Sequence, residues 1–184
     1  MRKNLLPLFI LLFYTKLINA QATDDPIELK NLSVSIKADL FTAITTLNME
    51  FYNPNAKVLD GEYNFSLKDG QVITGFALDI NGFMREGVIV DKQKGRVAYE
   101  NIIRRRVDPG LLEMTAGNNY RVRVYPMPAK GVRKIKIVIT ENLIIKENAL
   151  QYHLPLDISY QVRQFNVDIS IAATEYSPVA NDGL

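Results

Sequence analysis

Alternation with a period of two is the feature that most constrains the fold of this 184-residue chain. Apolar side chains recur at nearly every second position along Leu32–Ala38 and Phe41–Phe51, with Ser, Thr, Lys, Asn and Glu between them. Successive side chains of a β-strand point to opposite faces, so this pattern predicts strands with one buried face. Similar alternation occurs near residues 63–67, 72–80, 120–124, 135–139, 150–156 and 165–171. The sequence therefore predicts a mainly β protein, an antiparallel β-sandwich.

Turn residues separate the predicted strands. Asn53-Pro54-Asn55 ends the second strand, because proline cannot donate a hydrogen bond to a sheet and asparagine favours turns. Asn81-Gly82 is the strongest hairpin signal, since both residues tolerate the positive φ of a type I′ turn. We expect Gly87–Val90 to be the return strand of that hairpin.

One segment has a different period, and it predicts one short α-helix. Between about residues 92 and 105 the apolar side chains recur at helical spacing, and Asp108-Pro109-Gly110 would end the helix. The apolar positions on one face of that helix are Ala98, Tyr99, Ile102 and Ile103.

The first 22 residues have the organisation of a secretory signal peptide. Arg2 and Lys3 provide a basic start, Leu5–Tyr14 is an uncharged apolar run, and Ala20-Gln21-Ala22 offers small residues for cleavage. The run is too short to cross a bilayer, which needs roughly 20 residues. An uncleaved anchor is the alternative, and cleavage after Ala20 or after Ala22 stays open. We expect a secreted protein of the periplasm or cell surface, with no transmembrane segment after cleavage.

The expected domain organisation follows from this leader. Residues 1–22 are the signal peptide, 23–174 form one folded domain, and 175–184 are a tail or linker. Loss of the leader lowers Lys plus Arg from 22 to 19 while Asp plus Glu stays at 20, a net charge of −1. That charge gives no electrostatic basis for binding nucleic acid. The absence of Cys excludes disulfides, Cys-based zinc sites and thiol catalysis, and it favours a bacterial envelope protein.

Carboxylates are plentiful but scattered along the chain, whereas His is rare and Cys is absent. His153 is the one histidine and lies in a predicted strand, where a structural role is expected. Asp168 and Ser170 are interpreted as the polar side of a strand. We expect no enzyme, no metal site and no cofactor. The alternative is a carboxylate-based envelope hydrolase, which would need two carboxylates facing each other roughly 5–10 Å apart.

A group of arginines is the clearest candidate binding site in the sequence. In a purely structural role, such cations stabilise the C-terminal end of a helix and keep strand edges soluble. In a functional role, they bind an anionic or carboxylate-bearing partner through guanidinium forks. The candidate contacts are Arg104, Arg105, Arg106, Arg121, Arg123 and Arg133.

Several segments, taken in order, resemble the vault protein inter-alpha-trypsin (VIT) domain family. They are Asn53-Pro54, Gly61–Leu67, Asn81-Gly82, Gly87–Lys92, Asp108–Glu113, Asn119–Pro128 and the Ile135/Ile137/Ile139 strand. The resemblance covers about residues 29–143, and extra strands are expected over about 149–172. Ser66-Leu67-Lys68-Asp69 departs from the family, which often has Leu-Pro there, and the expected effect is a local change of turn.

The resemblance implies a function without catalytic residues. It implies a protein-interaction or structural module, which we expect at the cell envelope. VIT domains often precede a von Willebrand factor A domain, which is not present in this chain. The expected partner is therefore another protein or such a following domain. A variant of this expectation is that the chain is the N-terminal part of a longer surface protein.

The signal-peptide prediction can be tested by the intact mass of the native protein recovered from its own cells. We expect a mass that lacks the first 20 or 22 residues. The mass of the unprocessed 184-residue chain would contradict this prediction. A much larger mass would place the sequence inside a longer surface protein.

Overall fold

The structure is a computed structural model, and it describes residues 23–91, 110–147, 149–154, 156 and 162–172. Within these residues the fold is mainly β, as predicted, and the predicted helix near 92–105 lies outside them. The strands are β1 (Glu28–Asp39), β2 (Thr42–Tyr52), β3 (Leu59–Ser66), β4 (Gln71–Ile80), β5 (Phe83–Glu86), β6 (Val88–Asp91), β7 (Gly110–Met114), β8 (Asn119–Met127), β9 (Val132–Asn142), β10 (Ile144–Lys146), β11 (Ala149–Gln151) and β12 (Val162–Ile171).

The strands form two main sheets that share one hydrophobic core. The six-stranded sheet has the order β12-β1-β2-β9-β4-β5, and the four-stranded sheet has the order β3-β8-β7-β6. Leu47 of β2 lies opposite Ile137 of β9, and both side chains are at most 2% exposed. Phe51 of the six-stranded sheet contacts Tyr63 of the four-stranded sheet, with ring centroids 5.7 Å apart. The predicted alternation therefore marks the faces that meet in the core.

The hairpin predicted at Asn81-Gly82 is present, but its return strand was predicted wrongly. Both turn residues have positive φ, 54° and 85°, and β5 begins immediately after them. The Gly87 N–H donates to the Phe76 carbonyl at 2.9 Å, and there the pairing with β4 ends. Residues Val88–Asp91 then form β6 in the four-stranded sheet rather than the return strand.

Two strand pairs are parallel, which the antiparallel prediction did not include. Strand β6 pairs with β7, and β1 pairs with β12, each in parallel. Parallel neighbours cannot be joined by a tight turn and need a long crossover connection. Residues 92–109 provide that length between β6 and β7.

The expected extra strands near 149–172 divide into two parts. Strand β11 pairs only with β10 in a separate two-stranded sheet, whereas β12 extends the six-stranded sheet. The strand predicted over 150–156 ends at Gln151, and Tyr152, Leu154 and Leu156 pack against the core without strand structure. Only β12 therefore joins the sandwich as a strand.

Asn53 connects the two sheets at the end of β2. Its side chain is fully buried, and its Nδ2 donates to the carbonyls of Lys57, Met127 and Pro128 at 2.8, 3.2 and 3.1 Å. Its Oδ1 accepts from the Asn55 N–H at 2.9 Å. Met127 is the last residue of β8, so one amide joins the ends of strands from both sheets.

We expect Asn53→Ala to lower the free energy of unfolding by about 2–4 kcal/mol, because it leaves buried backbone groups without partners. Asn48→Ala is the matched control, since Asn48 is exposed on the outer face of β2, and its effect should stay within about 0.5 kcal/mol. Urea denaturation of the two variants measures the difference. Equal stabilities would show that Asn53 does not connect the sheets.

Candidate functional site

A groove of about 370 Å³ lies on the outer face of the six-stranded sheet. Its floor includes Gly75 and Ala77 of β4 and Val138 of β9. Ile137 and Ile139 point into the core, so Val138 points away from it. Lys136 of β9 and Glu86 of β5 line opposite sides of the groove.

The groove exists because β4 is irregular at a glycine. The pairing of β4 with β9 shifts register between Ile73 and Gly75. A Cβ atom at Gly75 would lie 3.1 Å from Val138 Cγ2, so a larger residue would fill the floor. The chain leaves the six-stranded sheet at Gly87, and Ile89 of β6 forms a wall.

Lys136 gives one side of the groove a positive charge, and Glu86 gives the opposite side a negative charge. Lys136 and Glu86 each lie opposite Ala77 in the sheet, so two strand spacings of about 4.8 Å separate their backbones. Neighbouring Lys134 pairs with Glu50 at 3.7 Å, whereas Lys136 and Glu86 form no ion pair within the described residues. The groove can therefore hold a segment with an apolar middle and polar ends of opposite charge.

Among the groove residues that the structure describes, Glu86 is the one carboxylate. A hydrolase of the kind considered from the sequence needs a second carboxylate facing the first. Across all the residues that the structure describes, no group of three or more His, Asp or Glu side chains could hold a metal ion.

Arg121 and Arg123 lie together on the outer face of the four-stranded sheet and are engaged with acidic residues. Arg121 Nε lies 3.2 Å from Glu62 Oε1 and donates to Asn64 Oδ1 at 3.1 Å. Arg123 Nε lies 3.9 Å from Glu62 and 4.0 Å from Glu113, whose side chain is 2% exposed. Binding of an anionic partner at this pair would have to compete with these carboxylates, and it stays a prediction.

The other predicted arginines are not part of that pair. Arg104, Arg105 and Arg106 lie outside the described residues. Arg133 is buried, and its guanidinium donates to the carbonyls of Pro126 at 3.0 Å and Asp79 at 3.3 Å. The sequence held a signal for this, because Arg133 has the same parity as Ile135 along β9 and therefore lies on the core-facing side.

A buried polar cluster that the sequence analysis missed lies at one end of the core. Gln71 Nε2 donates to Glu141 Oε1 at 3.1 Å and to the His153 carbonyl at 3.0 Å. The hydroxyls of Thr45 and Tyr152 are 2.6 Å apart. Glu141 shares the core-facing parity of Ile139 on β9, which is the signal that could have identified it.

Burial controls the ionisation of this cluster. It raises the pKa of the Glu141 carboxyl, and the hydrogen bond from Gln71 offsets part of the rise. Burial also raises the pKa of Tyr152 to about 12, with the hydrogen bond to Thr45 acting in the opposite direction and the charge of Glu141 adding to the rise. His153 contributes its backbone carbonyl to this cluster, and its exposed side chain lies just after β11.

Within the described residues, no helix has the length and apolar character that crossing a bilayer requires.

Comparison with known proteins identifies a family for most of the chain. A family model of the vault protein inter-alpha-trypsin domain matches residues 29–140. No significant relative was found among curated proteins. One similar solved structure is a mutant M1 zinc metallopeptidase from Deinococcus radiodurans with a bound Tyr-Ser-Ala substrate, at 6% identity and a TM-score of 0.34. The match covers 66% of this chain and 22% of that enzyme, and it has no bearing on the chemistry of this chain.

The raised pKa of Glu141 predicts a pH-dependent stability. Between the ordinary value of 4.5 and the raised value, the folded chain binds more protons than the unfolded chain, so stability falls as pH rises through that window. Glu141→Gln stays neutral and should remove this fall. Thermal denaturation at a series of pH values measures it, with Glu147→Gln at an exposed turn as control. A wild-type fall that survives in Glu141→Gln would contradict the prediction.

The two arginines of the four-stranded sheet should differ in their effect on stability. Arg121→Ser breaks an ion pair between partly exposed side chains, and we expect a change within about 1 kcal/mol. Arg123→Ser removes the cation beside the buried Glu113, whose Oε1 makes no hydrogen bond in the described part of the chain, and we expect a loss of about 1–3 kcal/mol.

Urea denaturation compares these variants, and adding Glu113→Gln to Arg123→Ser should restore part of the loss. A larger loss for Arg121→Ser than for Arg123→Ser would contradict the assignment. If folded Arg121→Ser captures partners as well as the wild type does, Arg121 has no role in binding an anionic partner.

Proposed function

The chain belongs to the vault protein inter-alpha-trypsin domain family, and on that premise we propose that it is a secreted, non-enzymatic protein-interaction module of the cell envelope. VIT domains are interaction modules, and they are associated with proteins that contain von Willebrand factor A domains. The predicted signal peptide supports secretion, and the scarcity of residues for catalysis supports a binding role. A von Willebrand factor A domain is one class of partner to test, and other envelope proteins are the second.

The observation that supports a binding role best is the groove on the outer face of the six-stranded sheet. Among the described residues, the four-stranded sheet packs against the opposite face of the six-stranded sheet, and Lys136 is exposed on the groove face. The small floor residues Gly75 and Ala77 admit a protein segment close to the backbone. We propose that such a segment crosses the strands with an acidic group near Lys136 and a basic group near Glu86.

The hydrolase alternative has less support than the binding role. The groove carries one carboxylate among its described residues, whereas a carboxylate-based hydrolase acts with two. Glu141 has a raised pKa, but its Oε1 accepts a hydrogen bond from Gln71, and its role there is to complete the buried cluster. The binding role is therefore the one we propose.

Capture of partners from an envelope fraction by the immobilised protein tests the proposed surface. Lys136→Glu places a second negative charge in the groove beside Glu86, and we expect capture to fall roughly tenfold. Lys37→Glu is the matched control, because Lys37 is also exposed on the outer face of this sheet but does not line the groove. It should capture partners as the wild type does.

The charge-exchanged double variant, Lys136→Glu with Glu86→Lys, indicates whether the order of the charges matters. We expect the double variant to capture partners as weakly as the single variant, since each charged end of the partner then lies beside a like charge and is repelled. Thermal denaturation of every variant confirms that the fold is retained. Equal capture by wild type and by folded Lys136→Glu would show that the groove is not the partner surface.

A further inference from the structure

Strand β12 is the outermost strand of the six-stranded sheet and is exposed over almost its whole length. Every β12 residue after Val162 is exposed, although four of these nine residues are large and apolar. Phe165, Val167, Ile169 and Ile171 are 42–59% exposed. A strand that leaves a regular row of large apolar side chains in solvent is unusual for a folded surface.

The apolar row lies on the core face of the sheet. In neighbouring strands, residues that lie side by side project to the same face. The register places Leu32 beside Phe165, Val34 beside Val167, and Ile36 beside Ile169. Those three β1 side chains are at most 2% exposed. The row therefore continues the core face by one strand, beyond the region that the four-stranded sheet covers.

The backbone of this row also faces outward. The Ala172 N–H donates to the Ala38 carbonyl at 2.9 Å, so residue 172 directs its backbone groups to β1. Backbone direction alternates along a strand, and Val167 and the other residues of the row therefore direct N–H and C=O away from β1. No described strand pairs with this edge.

The edge lacks the features that usually prevent strand pairing. β12 contains no Pro and no Lys. Its one cation, Arg163, is near the start and lies 2.6 Å from Glu28 of β1. Asp168 has the opposite parity to the apolar row and so projects from the other face. An edge strand without these features accepts another strand.

We propose that β12 pairs edge to edge and antiparallel with β12 of a second copy of this chain, with the two-fold axis through Val167. An axis perpendicular to the sheet keeps both apolar rows on one face, so they form a single apolar strip. In this register Phe165 lies opposite Ile169 of the second copy, a favourable aromatic and β-branched pair.

The charged and polar residues favour the same register. With the axis through Val167, Asp168 lies opposite Asn166 of the second copy. With the axis one residue further along, two Asp168 side chains would face each other, and like charges directly opposite are destabilising. The strand is therefore complementary to its own copy, which is the requirement for a symmetric interface.

The expected dimer is weak and reversible. One strand edge and four half-exposed apolar side chains bury less than the roughly 800 Å² per partner of a standard interface. We therefore expect dimerisation that depends on concentration, measurable by sedimentation of the full chain over a hundredfold concentration range. Val167→Lys should give monomers throughout, whereas Val72→Lys, at a similarly exposed valine on β4, should dimerise as the wild type does.

The absence of native Cys allows the register to be tested by single-cysteine variants of the full chain. With a short bifunctional thiol reagent, Val167→Cys should form covalent dimers at least tenfold faster than Ile171→Cys, which lies on the same face but four residues from the axis. Asn166→Lys, opposite Asp168, should tighten the dimer severalfold at low salt.

The outcomes separate this proposal from the proposed function. Dimers that require Val167 and cross-link fastest there support it. A wild-type chain that stays monomeric at all concentrations overturns it, as do equal cross-linking rates at residues 167 and 171. Capture of partners by Val167→Lys is expected to match the wild type, because residue 167 does not line the groove. Loss of dimerisation and loss of groove binding are therefore distinguishable.

Discussion

The pairing of β9 with β2 on one side and β4 on the other is the interaction on which the rest of the structure depends. Ile135, Ile137 and Ile139 of β9 are at most 2% exposed and form the middle of the core. The residues between them, Lys136 and Val138, line the groove on the opposite face. A slip of one residue would exchange the two faces. One register therefore both closes the core and places the charge and floor of the candidate binding surface.

The two candidate interaction surfaces have different physical origins. The groove arises within the six-stranded sheet, where Gly75 omits a side chain and the chain leaves for the other sheet at Gly87. The β12 edge arises because a six-stranded layer is packed against a four-stranded one. The outer strand then has a core-facing apolar row that the opposite layer does not cover. Both surfaces follow from the arrangement of the sheets themselves.

Local sequence patterns predicted the structural features that residues close together in the chain determine, namely strand faces and a tight turn. Alternation identified the buried faces of β1, β2 and β9, and Asn81-Gly82 located the hairpin. The assignment of Val88–Asp91 to the other sheet and the parallel pairing of β12 depend on contacts between distant segments, which periodicity does not encode. Arg133 shows a different limit. Its parity placed it on the core side of β9, but its charge suggested the surface, and parity was the better guide.

The central claim, that this fold works by presenting open sheet surfaces to other proteins, is tested most directly by side-chain footprinting of the protein in intact cells and after purification to dilute solution. Protection from labelling reports which side chains are covered. We predict that Ile89, Val138 and Phe165 are labelled less in cells than in dilute solution, while the exposed Phe83 of β5 is labelled equally in both. Equal labelling of all four side chains in cells and in solution would contradict it.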